Sequence, residues 1–165
     1  MFIKDLQLPL YTKIIYDSPY KFKVGGNILS LLTPSMTLDC IPKYCFTSLF
    51  CSNRGIVDAS NLILPHFTSE NCYTMMFEFC NNLKYPPNLP AIFLEPLCYC
   101  NMFKFSMHLE TTPTIPQTIA VADKTSFLSM FSHTNDKLET TVVCLTDKLG
   151  HISFDNEYAS SVKFN

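Results

Sequence analysis

The amino-acid sequence predicts a largely β domain, and three observations carry that prediction. Short apolar runs alternate with turn signals, beginning with Asp17-Ser18-Pro19 and Gly25-Gly26-Asn27. Before residue 110, no stretch of about eleven residues keeps the i, i+3, i+4, i+7 spacing of an amphipathic helix. Hydrophobic residues make up 47% of the 165 residues and charged residues only 16%, so a folded core is favoured over disorder.

The predicted strands follow one another at short spacing, which indicates hairpins. They cover residues 11–16, 20–24, 28–32, 36–41, 45–50, 56–64, 72–79, 91–94 and 97–105. Cys72 to Phe79 is the richest apolar run, and its length favours a buried strand over a helix. The prolines at 86, 87 and 90 disfavour regular ladder pairing just before residue 91. We expect no internal repeat in this series of segments.

The last third of the chain differs in composition and predicts an extension. Residues 111–126 are rich in Thr, Pro and Gln, which favours a linker or a long crossing loop. Residues 138–145 and 151–154 are then predicted to pair as a hairpin, with Gly150 supplying the positive φ of its turn. The expected organisation is therefore a β domain over residues 1–110, with residues 111–165 as a linker plus C-terminal hairpin packed on it.

Charge and hydropathy exclude several classes of partner. The 12 basic and 14 acidic residues give a net charge of −2, and no Lys/Arg run could neutralise a row of phosphates. Nucleic acid is therefore not an expected partner. Charged residues at positions 4, 5 and 13 interrupt the apolar region that a signal peptide would need, and no window reaches the roughly 20 apolar residues of a membrane span. We expect an intracellular protein of the cytoplasm or nucleus.

The eight cysteines lie in apolar runs without the spacing of a disulfide scaffold, so reduced core thiols are the simplest interpretation. Zinc is the alternative, because Cys98 and Cys100 would face the same side of a strand, and His66 or His108 could complete a set. Structural zinc sites usually have two Cys pairs of longer spacing, so no metal site is predicted. The run from residue 73 to 77 is interpreted as core, with a protein-binding surface as its alternative.

The order of several short motifs resembles the dUTPase family. These motifs are Gly25-Gly26-Asn27-Ile28-Leu29, Thr33-Pro34-Ser35, Ile41-Pro42-Lys43-Tyr44, Cys51-Ser52-Asn53-Arg54-Gly55 and Gly55-Ile56-Val57-Asp58. The likeness covers about residues 20 to 105 and depends on order and spacing more than on identities. It implies a distorted, jelly-roll-like β-barrel, similar to the catalytically dead adenovirus and herpesvirus members of that superfamily.

The resemblance also implies that catalysis has been lost. Asp58 matches the carboxylate that positions the attacking water, but the tyrosine expected three residues later is Asn61. Five residues separate Ser52 from Asp58, too few to hold the nucleotide pocket of the family. The Gly-Asp-Arg motif near the phosphates is replaced by Asn88-Leu89-Pro90. Asp58 is thus expected to be a vestigial, structural carboxylate, with no catalytic residue and no cofactor.

The resemblance implies a non-enzymatic viral accessory protein that uses a dUTPase-derived fold to bind and modulate host signalling or antiviral proteins. The low charge and apolar composition agree with a protein that works by protein contact. The host partner is not specified by the sequence, and a homo-oligomer is compatible with the family. Two alternatives are a divergent dUTP nucleotidohydrolase and a thiol-rich, zinc-binding structural protein.

Overall fold

A computed structural model describes residues 13–14, 19–35, 38–116, 118–123, 125–134, 140–144 and 162–164. Within these residues the only helical element is a short 3-10 helix, Ile28–Leu31. The strands are β1 (Phe22–Asn27), β2 (Ile56–Ile63), β3 (Phe93–Leu94), β4 (Thr118–Ile119), β5 (Val121–Ala122), β6 (Thr140–Cys144) and β7 (Val162–Phe164). The predicted class, a non-helical fold that contains β-sheet, is confirmed.

All strand pairs formed by the described residues are parallel. β1 pairs with β2, β3 pairs with β5, and β6 lies between β4 and β7. Parallel strands need a long crossover connection rather than a tight turn, so none of these pairs is a predicted hairpin. Gly25-Gly26-Asn27, expected as a hairpin turn, lies inside β1. The described strands do not close into a barrel.

Four turn-rich segments stack on one another beside the strands. They are residues 44–53, 71–80, 97–106 and 125–134, and their first residues are 27, 26 and 28 positions apart. Backbone N–H groups of one segment donate to carbonyl oxygens of the next segment along the chain, as from Phe46 to Cys72 (3.0 Å) and from Tyr73 to Cys98 (3.0 Å). Each span of 26–28 residues therefore forms one coil of a solenoid whose coils contact their neighbours.

The backbone of each turn segment enters the left-handed region at every fourth residue. The positive φ values occur at Tyr44, Ser48, Ser52, Asn71, Met75, Phe79, Leu97, Asn101, Phe105, Ser129 and His133. Between them, N–H groups donate three residues back, as from Leu49 to Phe46 (3.3 Å). A left-handed residue other than glycine costs about 1 to 2 kcal/mol, so this conformation persists because the coils on either side fix it.

The turn segments share a sequence pattern, and the expectation of no internal repeat is wrong. The pattern is seen in Tyr44-Cys45-Phe46-Thr47-Ser48-Leu49-Phe50, Asn71-Cys72-Tyr73-Thr74-Met75-Met76-Phe77, Leu97-Cys98-Tyr99-Cys100-Asn101-Met102-Phe103 and Thr125-Ser126-Phe127-Leu128-Ser129-Met130-Phe131. In each segment the second residue is Cys or Ser, the third is aromatic, the sixth is Leu or Met and the seventh is Phe. The unequal spacing between segments hides this pattern from a search at one fixed period.

The strand predictions met different outcomes. Residues 56–64, 20–24 and 91–94 overlap β2, β1 and β3, with shifted ends. The predicted strands at 45–50, 72–79 and 97–105 are instead turn segments, and most of the predicted strand at 28–32 is the 3-10 helix. Over a short window, the adjacent apolar residues of these segments resemble those of a buried strand. Their backbone conformation instead repeats every four residues.

Two buried ladders of aromatic rings run along the solenoid. The first comprises Phe46, Tyr73, Tyr99 and Phe127, with ring centroids 5.7 Å apart at each step. The second comprises Phe50, Phe77, Phe103 and Phe131, with steps of 5.1, 5.7 and 5.7 Å. Offset-stacked ring pairs contribute about 0.5–1.5 kcal/mol each beyond the burial of their area. The core interpretation of the run from 73 to 77 is confirmed for Tyr73, Met76 and Phe77, which are fully buried.

The Thr/Pro/Gln-rich stretch contributes to the same core. Ile115 and Ile119 belong to the buried cluster that begins at Ile28. Ala120 N donates to Ile92 O at 2.8 Å, and β5 pairs with β3. Residues 111–116 and 118–123 are therefore part of the stack rather than a free linker. β6 lies within the predicted strand at 138–145, whereas the predicted turn and the arm at 151–154 lie outside the described residues.

We expect Tyr73→Phe and Tyr99→Phe each to raise the free energy of unfolding by about 1 kcal/mol. Both hydroxyls are buried without a hydrogen-bond partner among the described residues, and Phe46 and Phe127 show that the same ladder accepts phenylalanine. Urea unfolding followed by circular dichroism measures the change. As a control, Tyr99→Ala removes the ring itself and should cost about 3–5 kcal/mol. A loss of 1 kcal/mol or more in either Phe variant would contradict the assignment of these hydroxyls as unsatisfied.

Candidate functional site

Asp58 lies in β2 and forms an ion pair with Lys23 of the neighbouring β1. Its Oδ1 accepts hydrogen bonds from the Ser60 N–H (2.9 Å) and the Ser60 hydroxyl (2.7 Å), and its Oδ2 is 3.0 Å from Lys23 Nζ. The hydrogen bonds from Ser60, followed by that from Lys23, lower the pKa of the Asp58 carboxyl to about 2. Asp58 is therefore ionised at neutral pH. Its carboxylate is bonded to Ser60 of its own strand, β2, and to Lys23 of the paired strand β1.

The other residues singled out from the dUTPase motifs lie in two places. Asn61 and Asn88 line a shallow cavity of about 350 Å³ at the end of β2, together with Ser60, Ile63, His66 and Pro90. Asn61 packs against Gly25, where an added Cβ would be 3.0 Å from the Asn61 Cβ. Ser52 is not among the cavity residues and belongs to the first turn segment. The structure thus brings Asn61 and Asn88 together but leaves Ser52 elsewhere.

The thiols form a buried column rather than a reactive cluster. Cys45, Cys72 and Cys98 occupy the second position of three successive turn segments. Burial raises the pKa of Cys45 and Cys72 to about 12, and it raises the pKa of Cys98 further. A thiol that is protonated at neutral pH is a poor nucleophile and a poor metal ligand. Within the described residues no three His, Cys, Asp or Glu side chains are placed to hold a metal ion.

Cys98 and Cys100 do not lie on a strand, as the zinc alternative requires. Both side chains belong to the third turn segment and are buried, whereas His66 and His108 are exposed. All seven cysteines whose side chains are described are free thiols. The column therefore packs the interior of the coils.

Sequence reasoning missed an exposed row of stacked rings, formed by Phe79, Phe105 and His133 and called the ring row below. Its centroids are 4.6 and 4.5 Å apart. Each ring belongs to the ninth residue of its turn segment and stands on a backbone with φ near +60°. Phe79 is 41% exposed, His133 is exposed and Phe105 is partly buried, so the row lies at the surface. Aligning the turn segments would have revealed it, because only the alignment places these three residues in one row.

A basic side chain, that of Lys104, lies beside the ring row. Lys104 Nζ lies 5.5 Å from the centre of the Phe105 ring, within the range of a cation–π interaction. Arg54 follows Ser52, the ninth residue of the first segment, by two positions, and its carbonyl accepts a hydrogen bond from Lys21 Nζ (3.0 Å). The acidic neighbour is Glu78, whose pKa is raised by burial. The surface is thus apolar at its centre, and the charged side chains beside it are Lys104 and Glu78, one of each sign.

Three lysines away from the ring row are paired with carboxylates: Lys23 with Asp58 at 3.0 Å, Lys43 with Glu70 at 2.6 Å and Lys84 with Glu110 at 2.6 Å. Arg54 and Lys104 have no ion-pair partner among the residues that the structure describes. Lys104 interacts electrostatically with Glu78. The stacked rings at the surface therefore make the ring row the candidate functional site.

No protein-family model, curated protein or solved structure matches the chain. The resemblance to the dUTPase family therefore stays a prediction from the sequence. Among the described residues, no helix is both long enough and apolar enough to cross a membrane.

We expect Asp58→Asn to lower the free energy of unfolding by about 1 kcal/mol at pH 7, because it weakens the bonds to Ser60 and Lys23. The pKa of about 2 in the folded protein lies below the ordinary value of 3.8. The stability that the ionised carboxylate contributes is therefore present above pH 4 and is lost as the pH falls toward 2. Urea unfolding at pH 7, 4 and 2 should show wild type and variant converging at pH 2.

Lys23→Met is the matched control for this experiment. The Lys23 side chain is 71% exposed, so its loss should change stability by less than about 1 kcal/mol. A pH-independent difference between wild type and Asp58→Asn would contradict the role assigned to the carboxylate.

Proposed function

We propose that the protein is a non-catalytic binding module that recognises another protein through the ring row. The observation that carries this proposal is the exposed stack of Phe79, Phe105 and His133. Aromatic residues and arginine are enriched in protein interfaces and supply most of their hot spots. A row of stacked rings at the surface has the aromatic part of that composition.

The stacked coils suit such a role because they hold the rings rigidly. The backbones of Phe79 and Phe105 are bonded to the adjacent coil, from Phe79 N to Lys104 O (2.9 Å) and from Phe105 N to Ser132 O (2.9 Å). Stacking on the neighbouring ring further limits side-chain rotation. Groups ordered before binding lose little conformational entropy on association, so more of their contact energy appears as affinity.

The chemistry of the candidate catalytic groups supports a non-catalytic role. Hydrogen bonds and an ion pair occupy the carboxylate of Asp58. The thiols of Cys45 and Cys72, with pKa values of about 12, are protonated at neutral pH. A nucleophile or general base needs a pKa suited to the working pH and access to substrate, and these groups lack that combination.

The finer expectation, a viral accessory protein that binds host signalling or antiviral proteins, rests on the sequence resemblance alone. Jelly-roll barrels are built from antiparallel strands, whereas the described strand pairs are parallel. Our proposal therefore keeps the protein-binding role and does not depend on a dUTPase-derived barrel.

We expect Phe79→Ser to reduce partner binding at least ten-fold, since it removes the most exposed phenylalanine of the ring row and replaces it with the residue found at the equivalent position Ser52. The immobilised chain is incubated with an extract of the cells that produce it, and retained proteins are quantified by mass spectrometry for wild type and variant. Loss of a central aromatic anchor typically costs about 2 kcal/mol or more. Urea unfolding verifies that the variant is folded.

Phe93→Ser is the control variant, because it removes a ring that is 57% exposed and lies outside the ring row. It should leave retention unchanged. Equal retention by wild type and Phe79→Ser would refute the proposed surface. Hydrolysis of dUTP that disappears in Asp58→Ala would refute the non-catalytic assignment.

A further inference from the structure

The cavity at the end of β2 is built from equivalent residues of two successive coils. Asp58 of one coil forms a parallel bridge with Tyr85 of the next coil. Asn61 and Asn88 lie three residues beyond the two ends of that bridge, and both line the cavity. Adjacent strands lie about 4.8 Å apart, so the cavity contains two carboxamide side chains at roughly that separation.

Apolar side chains line the cavity beside the amides. Ile63 follows Asn61 by two residues, and Pro90 follows Asn88 by two residues. Residues two apart in a strand face the same side, and Ile63 is 58% exposed. An amide row and an aliphatic row therefore lie side by side across the two coils.

Most of the polar side chains that line the cavity are available to a ligand. Asn61, His66 and Asn88 are exposed, and they form no hydrogen bond with any residue that the structure describes. Ser60 differs, because its hydroxyl donates to Asp58 Oδ1 at 2.7 Å. A carboxamide can both donate and accept hydrogen bonds, and so can a neutral imidazole. A ligand in the cavity thus meets groups that suit hydrogen-bond donors and acceptors equally.

The composition of the lining disfavours several classes of ligand. Among the described residues that line the cavity there is no Lys, Arg, Asp or Glu, so an ion would lose hydration without meeting an opposite charge. The same residues include no Phe, Tyr or Trp, on which a nucleobase would stack. In an extended peptide, groups on one side recur every two residues, about 6.6 Å apart, which does not match the coil separation of about 4.8 Å.

We propose that this cavity binds a neutral saccharide. Every sugar hydroxyl both donates and accepts, as the amides of Asn61 and Asn88 do, and the C–H groups of a sugar ring can pack on Ile63 and Pro90. The cavity volume of about 350 Å³ lies within the range of small-molecule sites. No residue of the ring row lines the cavity, so this is a second site, and it does not depend on the proposed function.

The first experiment is calorimetric titration of the full chain with four neutral tetrasaccharides: maltotetraose, cellotetraose, mannotetraose and tetra-N-acetylchitotetraose. We expect at least one of them to bind with a Kd of about 1 mM or lower. Absence of binding by all four at ten times that concentration would overturn the inference. An end-blocked Gly-Ser-Gly-Ser-Gly peptide is the competing probe, and binding as tight as that of the best saccharide would overturn the choice of ligand.

The second experiment removes the amides while keeping the side-chain volume. Asn61→Leu and Asn88→Leu should each weaken binding of the best tetrasaccharide at least ten-fold, because the lost donor and acceptor leave sugar hydroxyls unpaired. Both positions are exposed, and urea unfolding verifies that the variants are folded. Undiminished binding by both variants would place the saccharide elsewhere and refute the site.

Asn101→Leu is the matched control, since it makes the same substitution outside the cavity. Asn101 is the fifth residue of its turn segment, and Met75 shows that this position accepts an apolar side chain. The control should bind the tetrasaccharide as wild type does. A loss equal to that of the cavity variants would refute the assignment of the amides as ligand contacts.

Ile63→Ser tests the aliphatic row separately. It removes apolar surface at an exposed position and should weaken saccharide binding about five-fold, since the C–H groups of the sugar lose part of their packing. Unchanged affinity would refute the role of this row.

The outcomes for this site and for the ring row are distinguishable. Phe79→Ser should bind the tetrasaccharide as wild type does, and Asn61→Leu should retain extract proteins as wild type does. Loss of saccharide binding in Phe79→Ser would refute the independence of the two sites.

Discussion

The hydrogen bonds between successive turn segments are the interaction on which the rest of the structure depends. In the first segment, the N–H groups of Phe46, Ser48 and Phe50 donate to the next coil, whereas the intervening N–H groups donate three residues back. Because of this alternation, both sets of N–H groups have a carbonyl acceptor. These hydrogen bonds compensate for the energetic cost of non-glycine residues in the left-handed region. Without a neighbouring coil, a segment would lose half of these bonds and keep the backbone strain.

The same bonds set the spacing and the role of each side chain. Adjacent strands lie about 4.8 Å apart, and the ring steps of 4.5–5.7 Å follow from that separation combined with offset stacking. Equivalent positions of successive segments therefore form rows. The third and seventh positions build the buried ladders, the second position builds the column that contains Cys45, Cys72 and Cys98, and the ninth position builds the ring row.

The sequence predicted the parts of the fold that follow from local patterns. β2 combines β-branched residues with turn signals at both ends, and it lies where expected. The turn segments were not predictable by the same reasoning, because the left-handed residues include Tyr44, Met75 and Leu97, whose side chains give no signal for that conformation. Asp58 lies in β2 and is bonded to Ser60 and Lys23, and the loss of catalysis expected there stays a prediction. The ring row depends on the register between segments of unequal spacing, so local patterns contain no trace of it.

The composition of the ninth position is itself an argument for function. Ser52 shows that a small polar residue satisfies the backbone there, so stability of the coil does not require a ring. Ser52 has the same left-handed backbone as Phe79 and Phe105, so the backbone strain belongs to the coil and not to the rings. An exposed ring, however, leaves apolar surface in water, and Phe79 is 41% exposed. Apolar surface that the fold does not need is characteristic of residues retained for recognition, and this is why the ninth position supports the proposed binding role.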